Sequence, residues 1–438
     1  MSDKCEEKRP HVAIIGSGLV GVIFALGLLK RNIKVTLYEQ SHDLNELGAG
    51  IAFTGVAQEC MRQLDPRILE ALRRVGNENV TAYNRYVDGY SQVTGEQREE
   101  DPTFEPLFFQ LPIDGMKFWA CHRAHFLNEL AKLLPGNVIV FQKRLATYVD
   151  DENRPTVMLH FEDGSMAEAD AVIGCDGIKS RVRQVLLGPD NPASLPSYTH
   201  RAAYRAVVPI EAAAAAIGTD KANNQCLHMG PGSHVLNYPL ANYTLMNIVI
   251  FLRDWDVWPN IEKMAGSAHK TEVASAFAHW GPAVRSIIEL LPEELAKWAI
   301  FDLGTHPVPF YAKGRVCMAG DAAHGSAPHH GAGAGFGVED ALALASILEE
   351  MEESTHIVQA LHAFSSVRYE RTQWLVRSSR ETADIYEWTY HESGSDPDKC
   401  KEQIEQRTRK IWDYDVDAMV TEAKEVYRAS FQFSTVNK

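Results

Sequence analysis

Three groups of residues in this 438-residue chain have types and spacings that could do chemistry. Gly16, Gly18 and Gly21 form a G-x-G-x-x-G run. The first glycine lets the chain turn, the second lets a pyrophosphate approach the backbone, and the third lets a helix lie close to a strand. Glu39 follows at the end of the next apolar run, placed to accept hydrogen bonds from an adenosine ribose and to disfavour a 2′-phosphate there. Asp176 in a DG turn and Asp321 in a GD turn each put a carboxylate just past a short apolar stretch. Arg205 and Tyr238 pair a cation that cannot lose its proton with a phenolic donor, a combination that favours an anionic oxygen on a small ring.

The elements that must hold these residues can be read from patterning. HVAIIG reads as a buried strand, the glycine run as a turn, and Leu19 to Leu29 as a helix whose free N–H groups face the phosphates. KVTLYE is the next strand, and AEADAVIG and GRVCMAG are strands leading into Asp176 and Asp321. The strand, turn, helix and acid define one dinucleotide site, which by itself serves FAD or NAD equally well. No second glycine run followed by an acid occurs. Between about 190 and 290, HRAAYRAVVPI, HVLNYPL and YTLMNIVIF alternate with period 2 and predict a sheet. Arg205 shares a face with Val207, and His234 with Leu236 and Tyr238. From about 355 onward, spaced apolar residues among charges predict helices packed on the nucleotide domain, with the WDYDVDAM stretch as a solvated turn.

The ordered GSGLVG, CDGIKSRVR and GDAAHGSAPHHGAGAG segments resemble the single-component flavoprotein aromatic hydroxylases, which include p-hydroxybenzoate and salicylate hydroxylases. The likeness runs from about residue 10 to 380. It implies an α/β fold: a Rossmann-like FAD domain interleaved with a β-sheet substrate domain, plus C-terminal helices. The boundaries expected are 10–185 for the first FAD segment with an insert at about 65–115, 186–290 for the sheet domain, 291–380 for the second FAD segment, and 381–438 for the helical end.

By the same resemblance Asp321 bonds the flavin ribitol, and backbone N–H groups of Gly333 and Ala334 face the flavin's pyrimidine edge. The helix that begins there turns its positive end toward reduced, anionic flavin. Glu339 and Asp340 are expected to cap or pack within that helix. Gly50 and Ala52 of GAGIAFT pass beneath the ring, Arg123 reaches FAD, and Asp176 meets both flavin and nicotinamide. NADPH or NADH then binds transiently as cosubstrate.

Within the family the chain is most similar to fungal dearomatising hydroxylases of polyketide pathways, the group of the 3-methylorcinaldehyde monooxygenase of tropolone biosynthesis. That likeness implies a catalytic trio of Arg205, Tyr238 and His330, with Phe118 walling the pocket. The loop departs from the commoner PxQGQG pattern by carrying His330 and Ala332 where many relatives have glutamine. The activity implied is hydroxylation of a phenolic ring by a flavin hydroperoxide, with O2 as oxidant. Where the attacked carbon already carries a substituent, no proton can leave and the ring stays a dienone. A carboxylated phenol that regains aromaticity, as in salicylate hydroxylases, is the near alternative; a non-catalytic flavin-binding regulator is the distant one.

Composition narrows the partners. A net charge of −15 gives no cationic face for nucleic acid. No apolar run is long enough to span a bilayer, and the charged N-terminus lacks a secretory core, so a cytoplasmic protein is expected. Seven scattered cysteines without a CxxC pair predict reduced structural thiols and no metal site. Oligomeric state is not encoded in any of these patterns.

Overall fold

HVAII makes a strand because β-branched and apolar side chains suit a position covered on both faces, and all but His11 are buried. This strand, His11–Ile15, pairs in parallel with Lys34–Tyr38 on one side and Ala171–Gly174 on the other. Val316–Met318 extends the parallel set beside Ala171–Gly174, and Ala312–Lys313 and Ile139–Val140 close its edges. The computed structural model describes residues 9–44, 50–78, 83–92, 101, 103–112, 118–240 and 243–432. Cys5 and the start of GAGIAFT, Gly48 and Ala49, lie outside them. The other six cysteines are free and buried.

The helix Leu19–Lys30 is apolar nearly all round and buried nearly all round, packed between the sheet and the helix Gly333–Glu350. Its N-cap, Gly18, has no side-chain cap, which leaves the first N–H groups facing outward. A three-stranded antiparallel sheet, Leu145–Val149, Val157–Phe161 and Met166–Ala169, stands beside this half.

The period-2 segments form three adjacent strands, Ser197–Pro209, Leu245–Arg253 and Ser233–Leu240, inside an eight-stranded sheet. One face is covered by the helices Ile210–Ile217, Lys270–Ala276 and Pro282–Glu289 around Tyr204, Ile248 and Phe277. The five consecutive alanines Ala212 to Ala216 fall in the first of these helices. The sheet also takes in Tyr83–Asp88 and Leu107–Pro112, which patterning put in an insert of the FAD domain, and Glu294–Asp302, beyond the boundary drawn at 290. Tyr83–Asp88 finds its parallel partner, Cys226–Gly230, more than a hundred positions away, a pairing that local periodicity does not encode.

The helices Ile357–Tyr386, Pro397–Trp412 and Val416–Gln432 follow. Ile357, Leu361, Val416 and Met419 join the core of the FAD half. The first helix runs unbroken past 380, where the sequence boundary was placed. Tyr414, within the stretch read as a solvated turn, lies 3.3 Å beneath the Arg371 guanidinium. No helix among the described residues is long and apolar enough to cross a membrane.

Glu339 and Asp340 do more than cap or pack. Arg368, fully buried, bonds Glu339 and Asp340 at 2.8 Å each, and Arg371 adds two bonds to Glu339. Asp340 in turn accepts from His324 Nε2 at 2.6 Å and from the Gly320 N–H at 2.9 Å. Burial opposes its charge, but His324 and Arg368 hold the carboxyl well below the usual carboxylate range. The GD turn is thereby fastened to the helix behind it. Replacing Arg368 by Met leaves two buried carboxylates short of charge compensation and is expected to cost about 3–5 kcal/mol of stability. A lowered urea midpoint tests this; a shift below about 1 kcal/mol would show the network to be dispensable.

Candidate active site

The glycine turn is built by exclusion of side chains. Gly16 has φ +98°, and a Cβ on it would stand 2.6 Å from the Cys175 carbonyl oxygen. A Cβ on Gly21 would stand 2.0 Å from the Gly16 carbonyl oxygen. The ends of the strands before residues 16 and 175 therefore meet backbone to backbone. Ser17 donates from its N–H (2.9 Å) and its hydroxyl (2.7 Å) to Glu39 Oε2, and Ser41 N–H donates to Oε1. Burial opposes the charge, but these bonds hold the Glu39 carboxyl below its ordinary value. Each oxygen keeps a further acceptor position for a ribose hydroxyl.

Asp176 Oδ2 accepts the N–H groups of Arg181 and Val182 at 2.7 and 3.0 Å, so half of this carboxylate caps the helix Arg181–Leu187. Its Oδ1 is buried with no partner, and burial raises the carboxyl pKa. Arg183 is fully buried and donates to the carbonyls of Ile178, Ser194 and Ala322. It ties the DG turn to the GD helix. Burial pulls its pKa down to about 10.

Asp321 stands exposed at the start of the helix Asp321–His324. A Cβ on Gly333 would lie 3.9 Å from Asp321 Oδ1, so the GD carboxylate faces the first turn of Gly333–Glu350, which contains Ala334. That helix has no side-chain N-cap, leaving its first N–H groups open to an anion. The strand Gly50–Phe53 comes alongside: Ala52 and Thr54 line a small cleft with Gly331, Ala332, Gly335 and Phe336. Arg123 opens the helix Arg123–Ala131, one residue after His122, which pairs with Gly50. Half-buried Phe118 precedes the same strand, Trp119–His122.

Across from this cleft lies one face of the eight-stranded sheet. Arg205 pairs with Val249, Leu236 pairs with Val249, and Tyr238 pairs with Asn247, so all five share a face. Ala203, Val249, Phe251 and Ile300 there pack on Ala327 of the loop after the GD motif, with Leu236 and Trp298 at the margin. A Cβ on Gly50 would be 3.2 Å from the Tyr238 hydroxyl, which puts that hydroxyl at the junction with the FAD half. Arg205 Nε is buried and has no hydrogen-bond partner. Burial lowers the Arg205 pKa, with Tyr238 opposing. Burial raises that of Tyr238, against Arg205 and a bond to Asn247.

The two histidines of PHHG part company in the 3₁₀ turn Pro328–His330, where successive side chains are about 120° apart. His330, expected beside Arg205 and Tyr238, instead bonds Ser378 Oγ at 2.9 Å and Thr382 Oγ1 at 3.1 Å on the long helix, and burial pushes its pKa down to about 3. His329 takes the sheet side, 4.8 Å from the Phe251 ring and 5.3 Å from His234. Sequence reasoning missed His329, and the signal available, two adjacent histidines, does not say which one faces in.

The arrangement fits FAD: a side-chain-free phosphate turn, a ribose acid, an orphaned buried carboxylate oxygen at Asp176, and a cleft walled by small residues. Comparisons with known proteins agree. The family model described as FAD binding domain matches residues 9–379, and the chain belongs to this family. An FAD-dependent monooxygenase of Aspergillus terreus is 47% identical over 96% of this chain and 98% of its own length. A salicylate hydroxylase of Sarocladium schorii is 43% identical, covering 97% of this chain and 92% of its own. A salicylate hydroxylase solved as a substrate complex superposes with a TM-score of 0.83 at 30% identity, covering 95% and 98% of the two chains. The chain is thus an FAD-dependent monooxygenase of the salicylate hydroxylase type.

Because Gly21 touches backbone, Gly21→Val must push the helix off the turn. The variant is expected to purify with little FAD and to melt earlier than wild type, read from visible absorbance per chain and a thermal melt. Full flavin content in the variant would contradict the close packing.

Proposed function

We propose that the enzyme hydroxylates a small phenol, a resorcinol aldehyde of polyketide type, with NADPH or NADH as reductant, and that a ring substituted at the attacked carbon leaves as a dienone. The observation that carries this reading is Arg205: a guanidinium with Nε buried and unpartnered beside the apolar cluster of Val249, Phe251 and Leu236. Leaving such a group unsatisfied costs about 1–3 kcal/mol, which an anionic ligand oxygen would offset. FAD, when bound and reduced, supplies the activation of O2.

This chain's residues do the rest. Arg205 favours the phenolate by charge, which makes the ring more electron-rich, and Tyr238 donates its hydroxyl proton to the same oxygen. Leu236, Val249 and Phe251 fix the ring plane and keep water away. Asp321, Gly333 and Ala334 would hold the flavin on the other side, with Gly50 and Ala52 alongside it, and Arg123 and Asp176 at its flanks.

Attack at a carbon that bears a hydrogen or a carboxyl group would restore the aromatic ring, because a proton or CO2 can then leave, as in a carboxylated phenol. The relatives named as salicylate hydroxylases favour that second reading. Incubation with a methyl-substituted resorcinol aldehyde, NADPH and labelled O2, followed by mass and ultraviolet spectra, distinguishes the two. One labelled oxygen and lost aromaticity are expected; a labelled aromatic product supports the second reading. Arg205→Met should keep its FAD yet lose about 10–100-fold in kcat/KM, the scale of a hydrogen bond to a charged group. Unchanged turnover would remove Arg205 from the mechanism.

A further inference from the structure

Further along the same sheet face lies a partly buried ionic cluster that none of the roles above uses. Arg201 and Arg253 are directly opposed on neighbouring strands, an arrangement of like charges that is unfavourable alone. Glu387, just past the long helix, compensates them: Arg201 Nε donates at 2.9 Å to Oε1, and Arg201 Nη2 and Arg253 Nε each donate at 2.9 Å to Oε2. Asp384 takes one further bond from each arginine. Two cations thus face two anions, and the cluster is neutral without any contribution from His234.

His234 Nδ1 stands 3.5 Å from Glu387 Oε1. The imidazole is buried and stacks on Phe251 at 4.5 Å. At that distance Nδ1 has no hydrogen-bond partner of good geometry, but a neutral imidazole with its proton there would aim it at the carboxylate and leave the Nε2 lone pair on the other side. The next ring, His329, meets it at 62° between planes, and both His329 nitrogens are buried with no hydrogen-bond partner. Such a ring costs about 1–3 kcal/mol per unsatisfied group until something fills it. The same face carries Arg205 one alternate position along the sheet from the Phe251 row.

We infer that Glu387 and His234 are positioning residues that orient His329, and that His329 contacts the aromatic substrate through a ring nitrogen, beside the oxygen held by Arg205. The inference rests on the reading that the phenol lies on this face. A substrate with a second hydroxyl or a carbonyl near the first oxygen would satisfy the imidazole, as a donor or an acceptor of its hydrogen bond.

The FAD-loaded full chain provides the test, with whichever phenol the wild type hydroxylates. His329→Gln is expected to weaken both substrate binding, read from the flavin spectrum without turnover, and kcat/KM by about 2–10-fold, the scale of a neutral hydrogen bond. Glu387→Gln should fall in the same range, and the double variant should be no worse than His329→Gln, because both changes remove one unit. His234→Asn replaces Glu387→Gln in this cycle if the latter loses its flavin. Nitrogen chemical shifts of labelled histidine should show His234 as the Nδ1–H tautomer in wild type and a tautomer mixture in Glu387→Gln.

Losses that multiply in the double variant, wild-type binding by His329→Gln, or His234 found as the Nε2–H tautomer would each overturn the inference. Turnover lost in Arg205→Met but intact in His329→Gln sinks this inference alone. Turnover intact in Arg205→Met sinks the functional reading instead.

Discussion

The contact on which everything else depends is made by backbone alone. Gly16, at the end of the first strand, lies against the Cys175 carbonyl at the end of another, and Gly21 lies against Gly16. Any side chain there would separate the strand ends and the helix Leu19–Lys30. The dinucleotide turn and the DG turn are therefore one surface, although Gly16 and Asp176 are 160 positions apart in the sequence. Buried charges secure the third turn to the same surface. Arg183 grips carbonyls of both the DG and GD segments, and Asp340 holds the Gly320 N–H from behind. Charged groups carry these links because each is well hydrogen-bonded: Arg183 has three carbonyls, and Asp340 a histidine, an arginine and an amide.

The sheet face proposed to take the substrate follows the opposite rule. Arg205 Nε and both nitrogens of His329 are buried but unsatisfied, beside Leu236, Val249, Phe251 and Trp298. Folding has already met the cost of removing those groups from water. A ligand that completes their hydrogen bonds therefore binds without a fresh desolvation penalty on the protein, which is preorganisation in its plainest form. The contrast between compensated charge behind the flavin and uncompensated polarity before it separates scaffold from site.

The strands and helices that carry the site residues were legible in the sequence. The apolar run before Gly16, the period-2 runs carrying Arg205, His234 and Tyr238, and the helical stretch after Leu19 all fold as their patterns require. Which strands share a sheet was less legible. Tyr83–Asp88 and Leu107–Pro112 look local in sequence, yet they lie in the substrate sheet beside Cys226–Gly230. Parallel pairing leaves no mark of its distant partner in a strand's own pattern.

By itself the sequence determined the cofactor turns, the acid at Glu39, and the shared face of Arg205 and Tyr238, because glycine geometry and side-chain alternation are local properties of the chain. Only the tertiary structure decided which histidine of PHHG faces the sheet, that Arg183 is a buried clamp, and that Glu387 stands behind His234. Those outcomes depend on the direction a side chain leaves a turn and on charges brought together across more than a hundred residues, and neither is written in the spacing of neighbours.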